Sequence, residues 1–345
     1  RRIVGDYFIT PLDIINNRTF PDTVTRARSN FDSHGYTIAD ICYVSEPAKE
    51  RVSTANVPYR SLLPKGMESV IVIGLGISAH RDSMPILRMQ PDIQNQGYVA
   101  GVAAATAARE GKTFRGIDLK KLQKHLVEKE IIPAEVLTWQ DSWPMNSEAV
   151  TLAVKSLGSN YKGVSSVLAH ADQAVPEMRK AYADEKDPAA RLVYAHVLGI
   201  LGDATGVDAL VSAVDKTEWG GGWNFKAMGQ FGRSVSELDS YIIALGRTRD
   251  KKGLEPILKK AAMLDGKKSF SNFRAVTLAL EALADPAGAK ALADLLKQPG
   301  IGGHAMVSTK DIGPAGGYKG ISGDSERSSC LREVALARAL YRCGD

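Results

Sequence analysis

Cysteine is scarce, and what there is excludes much. Cys42, Cys330 and Cys343 are the only three in 345 residues, and they form no CxxC pair and no Cys/His cluster, which argues against a zinc site or a disulfide framework. Cys330 and Cys343 fall in a helical tail, where 1.5 Å of rise per residue holds them about 20 Å apart, so all three read as reduced thiols. No metal ligand set is expected. Long apolar runs are also missing: the longest, around Val70 to Ile77, is strand-sized, so no membrane span is expected. Charge of one sign is not in excess, with 44 basic against 39 acidic residues and a net charge of +5. The lysine pairs Lys251-Lys252, Lys259-Lys260 and Lys267-Lys268 read as solvated helix ends and turns, and no basic stripe interleaved with aromatics points to nucleic acid. Gly-x-Ser-x-Gly, Walker and His-Glu-x-x-His patterns are absent. The opening Arg1-Arg2-Ile3-Val4 is neither an initiator methionine nor a signal peptide, because no apolar stretch follows it. A missing upstream segment is the expectation, and it leaves localisation open.

What is present divides into two grammars. With 44% hydrophobic residues the chain can bury a sizeable core, and its length favours two domains. Residues 1–135 mix short apolar runs with Pro/Gly punctuation. Val57 to Leu63, the Pro64-Lys65-Gly66 turn and Val70 to Gly74 suggest two strands, the second apolar on both faces like a buried parallel strand. A helix is expected over Gly97 to Glu110, where Gly97, Gly101 and Ala105 recur every four residues and leave a smooth face that a strand or ligand can approach. A second helix is expected from Asp118, as N-cap, to about Glu130.

From about Asn146 the pattern becomes helical pairs. Arg191 to Asp203 and Leu238 to Asp250 both end in Leu-Gly-x-x-x-Asp, and each is followed by a turn and a second amphipathic segment, Gly206 to Val214 and Gly253 to Met263. A third copy runs from Arg274 to Asp285 and on to Leu296, and a half-copy from Arg332 to Asp345. The equivalent aspartates fall at 203, 250, 285 and 345, so loops of unequal length interrupt a basic unit of roughly 35 to 45 residues, and each pair completes its core only by stacking on its neighbours. The pattern resembles HEAT repeats over 146–345. The fold class expected is therefore mainly α: a partial α/β segment followed by an α-helical solenoid. Two inserts interrupt it. Trp219 to Arg233 carries four aromatics among five glycines, with Trp219 and Trp223 as candidate substrate contacts. Gly300 to Asp324 is Gly-rich and contains His304, Lys310 and Tyr318.

The chemistry is carried by Val57-Pro58-Tyr59-Arg60-Ser61-Leu62-Leu63-Pro64-Lys65-Gly66, then Val70-Ile71-Val72-Ile73-Gly74-Leu75-Gly76-Ile77-Ser78-Ala79-His80, Arg88, and Gly97-x-x-Ala100-Gly101-x-Ala103-Ala104. This combination resembles the flavin-closing segment of the FAD-dependent oxidoreductase family, with its Gly-Arg-x-x-Ser-x-x-His loop, later arginine and Gly-x-Ala-Ala-Gly helix. Arg1 to Asp22 is similar to that family's middle region, so the resemblance spans about residues 1–130. It implies that Gly74 approaches the flavin ring, and that Ser78, Arg88, Gly97, Ala100 and Gly101 bind the cofactor. Arg88 would be an anion partner or a structural clamp. The turn before Gly97 would present a helix N-terminus, able to stabilise the negative charge of reduced flavin by roughly 0.3 to 2 kcal/mol. His80 becomes a catalytic candidate, with Asp82 and Asp92 as its and Arg88's orienting groups. His304 becomes a second catalytic candidate if the helical domain closes over the flavin.

Two departures limit what this chain can do. Leu75 stands where the family has arginine, and Tyr98-Val99 where it has smaller or polar residues. No Gly-x-Gly-x-x-Gly follows a strand near the start, so the pyrophosphate-binding half is missing. The expectation is an FAD-dependent parent acting on a small organic substrate, with FAD absent from this chain alone and a missing N-terminal FAD-binding segment as its partner. The alternative is a non-enzymatic helical scaffold that binds a protein or glycan.

Overall fold

A computed structural model of the chain describes residues 2–33, 35–45, 52–158, 160–225, 233–305, 308 and 324–343. The protein is mainly α. It divides into two compact units, Arg1–Ser33 with Pro47–Asn146, and His34–Glu46 with Ser147–Asp345. The short segment His34–Glu46 therefore packs with the helices that follow residue 146, although it lies inside the stretch read as the first domain.

In the first unit, β1 (Thr23–Ser29) pairs antiparallel with β2 (Ser53–Pro58), with a register irregularity between Thr23 and Thr25. The helix α1 (Pro11–Ile15) starts at a Thr10/Asp13 capping box with Pro11 in its first turn. In the second unit's inserted segment lies α2 (Asp40–Val44). The first unit continues with α3 (Met84–Leu87), α4 (Gln90–Glu110) and α5 (Leu119–Glu128). On α4 the buried positions are Asp92, Gln96, Val99, Ala103 and Ala107, a single stripe at helical spacing that packs towards β1. Asp118 caps α5, accepting the Lys121 amide, and Leu122 and Leu126 enter the core beside Val24, Val57, Leu62, Ile77 and Ile86.

Two expectations about this unit are corrected. The strand expected over Val57 to Leu63 ends at Pro58, and Tyr59–Leu62 winds into a 3-10 turn. The partner of β2 is the upstream β1. Val70 to Ile73 is extended but belongs to no strand: it is half-buried, Leu75 after it is 63% exposed, and Val72 N–H donates to the Leu62 carbonyl at 2.9 Å. An apolar run reports burial tendency; it does not supply a neighbouring strand, and among the described residues none flanks it. Second, the glycine-bearing helix starts at Gln90, seven residues before Gly97, because Pro91 favours a first helical turn and Met89 adopts the extended cap conformation.

The second unit is a stack of helices: α6 (Ser147–Lys155), α7 (Val164–Ala169), α8 (Ala171–Asp184), α9 (Pro188–Ile200), α10 (Val207–Lys216), α11 (Glu237–Arg247), α12 (Leu254–Ala261), α13 (Phe270–Leu283), α14 (Pro286–Leu296) and α15 (Asp324–Cys343). One layer runs α9, α11, α13, α15 and the other α10, α12, α14, each helix packed on the next of its layer. The aspartates of the repeated motif act alike. Asp203, Asp250 and Asp285 each accept, at 2.9 Å, the amide two residues ahead, which opens the next turn. Gly199 and Gly246 set the close approach of neighbouring helices: a Cβ on Gly199 would lie 2.7 Å from Leu210 and 3.0 Å from the Ala244 carbonyl, and one on Gly246 would run into the backbone of Ala279.

The inserted segment is clamped to these helices. Thr37 donates its amide to Ser234 Oγ, Arg274 donates to the Thr37 carbonyl and the Tyr43 hydroxyl, and Arg247 pairs with Asp40. Among the described residues no helix is long and apolar enough to cross a membrane.

Candidate functional site

The loop that carries Gly74 to His80 is fixed by backbone pairing with the N-terminal strand-like segment. Ile9 N–H donates to the Ser78 carbonyl, His80 N–H to the Ile9 carbonyl, Ile3 N–H to the Gly76 carbonyl, and Ser78 N–H to the Ser61 carbonyl. Gly5 makes that approach feasible, since a Cβ there would sit 2.7 Å from the Ser78 Cβ. Gly74 has φ +65°, a left-handed conformation that favours glycine, and its amide donates to Gln96 Oε1 at 2.8 Å. Gln96 was missed by sequence reasoning. Its only signal is that it is polar inside the otherwise mostly apolar stripe of α4, where it is fully buried and ties the loop to the helix.

The remaining candidates separate into engaged and uncovered groups. Ser78 is fully buried and, among the described residues, its hydroxyl has no hydrogen-bond partner. His80 caps the turn at Arg81–Ser83: its Nδ1 accepts the Asp82 amide at 3.1 Å and lies 3.9 Å from the Asp82 carboxylate. Arg88 is a clamp, bonding both the carboxylate and the carbonyl of Asp32. Asp92 orients neither His80 nor Arg88; it accepts the Arg28 amide, and burial pushes its carboxyl above the ordinary range. Tyr98, one of the departures, stacks on His125 of α5 and meets its Nε2 at 2.9 Å.

Gly97, Ala100 and Gly101 lie in the interior of α4. The dipole end is thus at Met89 to Ile93, not at the turn before Gly97, and the buried Asp92 carboxyl already occupies it. A Cβ on Gly97 would make ordinary contact with Ile73 at 3.6 Å. One on Gly101 would meet nothing within 4 Å, and Gly101 and Ala105 are exposed. The face is covered by Ile73 at Gly97 and, among the described residues, open at Gly101 and Ala105.

The candidates in the second unit are held by their own helices. Trp219 donates its indole N–H to the Lys260 carbonyl, and Trp223 packs edge-on to Tyr36 and Phe270. His304 is exposed, with its Nε2 3.2 Å from the Gly300 carbonyl and its amide on Glu333. Residues 226–232, and Lys310 and Tyr318 of the longer insert, lie outside the described residues.

Two titratable clusters were not visible in the sequence. In the first unit, Arg18 bonds Asp141, Asp13 and the Tyr7 hydroxyl and lies over the rings of Phe20 and Trp143. Burial and the adjacent Asp13 hold the Tyr7 phenol protonated, far above its usual range, so it donates to Asp13 and is no base. Partners 123 residues apart leave no local spacing to read.

In the second unit, His196 is 1% exposed, with Tyr161 Oη 2.7 Å from Nδ1 and Ser240 Oγ 2.7 Å from Nε2. Ser240 donates its proton to the Tyr43 carbonyl, so it accepts from Nε2–H, and Tyr161 donates to Nδ1. One neutral tautomer satisfies the network. Burial lowers the imidazole pKa to about 3. No group of three or more His, Cys, Asp or Glu among the described residues is arranged to hold a metal.

Residues 1–126 match the family model of FAD dependent oxidoreductases. That match covers the Gly74–His80 loop, Arg88 and all of α4, and supports an oxidoreductase-type function for the first unit. The helices after residue 146 lie beyond it. No curated protein and no solved structure matches the chain.

Alone, the described residues do not fit FAD as a complete site. The amides of Gly74, Gly76, Ile77, Ser78 and His80 are all bonded to protein acceptors, and the first turn of α4 carries a buried carboxyl. What they offer is an apolar wall left open at Gly101.

Proposed function

We propose that the first unit is one wall of the flavin site of an FAD-dependent oxidoreductase that acts on a small organic substrate. The donors for the cofactor phosphates would come from outside the described residues of this unit. One observation carries the reading: the match to the FAD dependent oxidoreductase model falls on a helix whose Gly101 faces open space. Glycine inside a helix costs about 1 kcal/mol relative to alanine, and packing within the described residues gives nothing back at that position. A flat group laid against the helix accounts for it. Bound there, the flavin supplies hydride transfer; the chain supplies a rigid apolar surface, with Gly74 held to α4 by Gln96 so that loop and helix keep one spacing.

The test is FAD reconstitution of the natural full-length protein. Stoichiometric flavin absorbance that bleaches on anaerobic reduction is expected. A colourless protein that cannot be reconstituted with FAD contradicts the proposal.

A further inference from the structure

Away from the Gly74 loop, the outer face of the β1–β2 pair opens into a cleft of about 700 Å³. Arg26 and Arg28, two residues apart on β1, share that face, and Thr54 lies directly opposite Arg28 in the ladder. The facing wall is apolar and comes from the end of α5 and the turn after it: Val127, Ile131 and Ile132. Among the described residues neither guanidinium forms an ion pair, and the Arg26 Nε is buried without a hydrogen-bond partner. Trp139 lies beside Arg26, its ring centre 5.8 Å from the guanidinium carbon.

Two unpaired arginines beside a hydroxyl and an apolar wall have a specific chemical complement. A planar guanidinium matches a carboxylate through paired N–H donors, and two guanidinia side by side on one face offer several of them. The apolar wall asks for a hydrocarbon body on the same molecule. Glu130 also lines the cleft, and its carboxylate disfavours a second anionic group on the ligand. We propose that this cleft binds an organic monocarboxylate, its carboxylate on Arg26 and Arg28 and its apolar body against Ile131 and Ile132. The site is separate from the flavin wall and does not depend on flavin being bound.

Calorimetric titration of the full chain with hexanoate tests this, with 1-hexanol and inorganic phosphate as companions. Saturable hexanoate binding is expected, with hexanol weaker by about tenfold or more and phosphate unable to displace hexanoate. Arg26→Gln and Arg28→Gln should each weaken hexanoate by about tenfold or more while leaving the thermal midpoint in place. Ala134→Trp, which adds an indole at an exposed lining position outside the β1–β2 ladder, should abolish binding. Absence of saturable hexanoate binding, wild-type affinity retained in both arginine variants, or displacement by phosphate would each overturn the assignment.

Discussion

The two units use glycine in helices in opposite ways. In the helical stack, Gly199 and Gly246 are pressed against the neighbouring helix, so that each missing Cβ becomes close interhelical packing. In the first unit, Gly97 makes only ordinary contact and Gly101 none within 4 Å. The same residue type, with the same intrinsic penalty, is structural in one unit and left over in the other. A glycine that packing explains needs no ligand, whereas one that packing leaves unexplained, within the region matching the FAD dependent oxidoreductase model, is where the proposed flavin wall falls.

The comparison breaks most visibly at Gly246. Gly246→Leu should destabilise the helical unit by about 3 kcal/mol or more, through a collision with Ala279 that neither helix can relieve by rotamer change. Urea denaturation would measure it, and a loss under about 1 kcal/mol would mean that the helices are not locked at that contact.

Next in size is a pH effect confined to the same closed interior. The pKa of folded His196 is lowered to about 3 from 6.5, so the unfolded chain binds the proton more readily. Its contribution to stability is fully present above pH 6.5 and declines as pH falls towards 3. By pH 5 the loss is about 2 kcal/mol. Denaturation at pH 7.5 and pH 5 should show this in the wild type and a flatter response in His196→Gln; equal slopes would remove His196 as the cause. The smallest effect belongs to the open face. Gly101→Ala should raise stability by about 0.5 to 1 kcal/mol, because the added methyl meets nothing and helix propensity improves.

Legibility in the sequence followed the range of the interactions. The repeated Leu-Gly-x-x-x-Asp was readable because its parts act locally: the aspartates cap at i+2, and the periodicity follows from stacking. Even so, its glycine was read as part of a helix end when it is an interhelical contact. In the third copy Glu281 takes that position, and it bonds Arg338 and Arg342 of α15 instead. The inserted segment was not legible, because Thr37, Asp40 and Tyr43 meet partners some 200 residues away. The unpaired Val70 to Ile73 run and the early start of α4 failed for a simpler reason. Hydropathy gives the first no partner strand, and the second is opened by Pro91, well before the small-residue stretch that marks its middle. The candidate site was readable as a set of positions, but Arg88 serving as a clamp on Asp32 and Gln96 holding Gly74 are tertiary facts.

The central claim, that the open glycine face of α4 is a flavin wall, is tested most directly by one substitution. Gly101→Leu should leave the natural full-length protein folded, with the thermal midpoint of the flavin-free protein not lowered because leucine also improves on glycine in a helix, and strip it of bound FAD, since the new side chain fills only the space the flavin would occupy. Retention of full flavin content in Gly101→Leu would contradict the account.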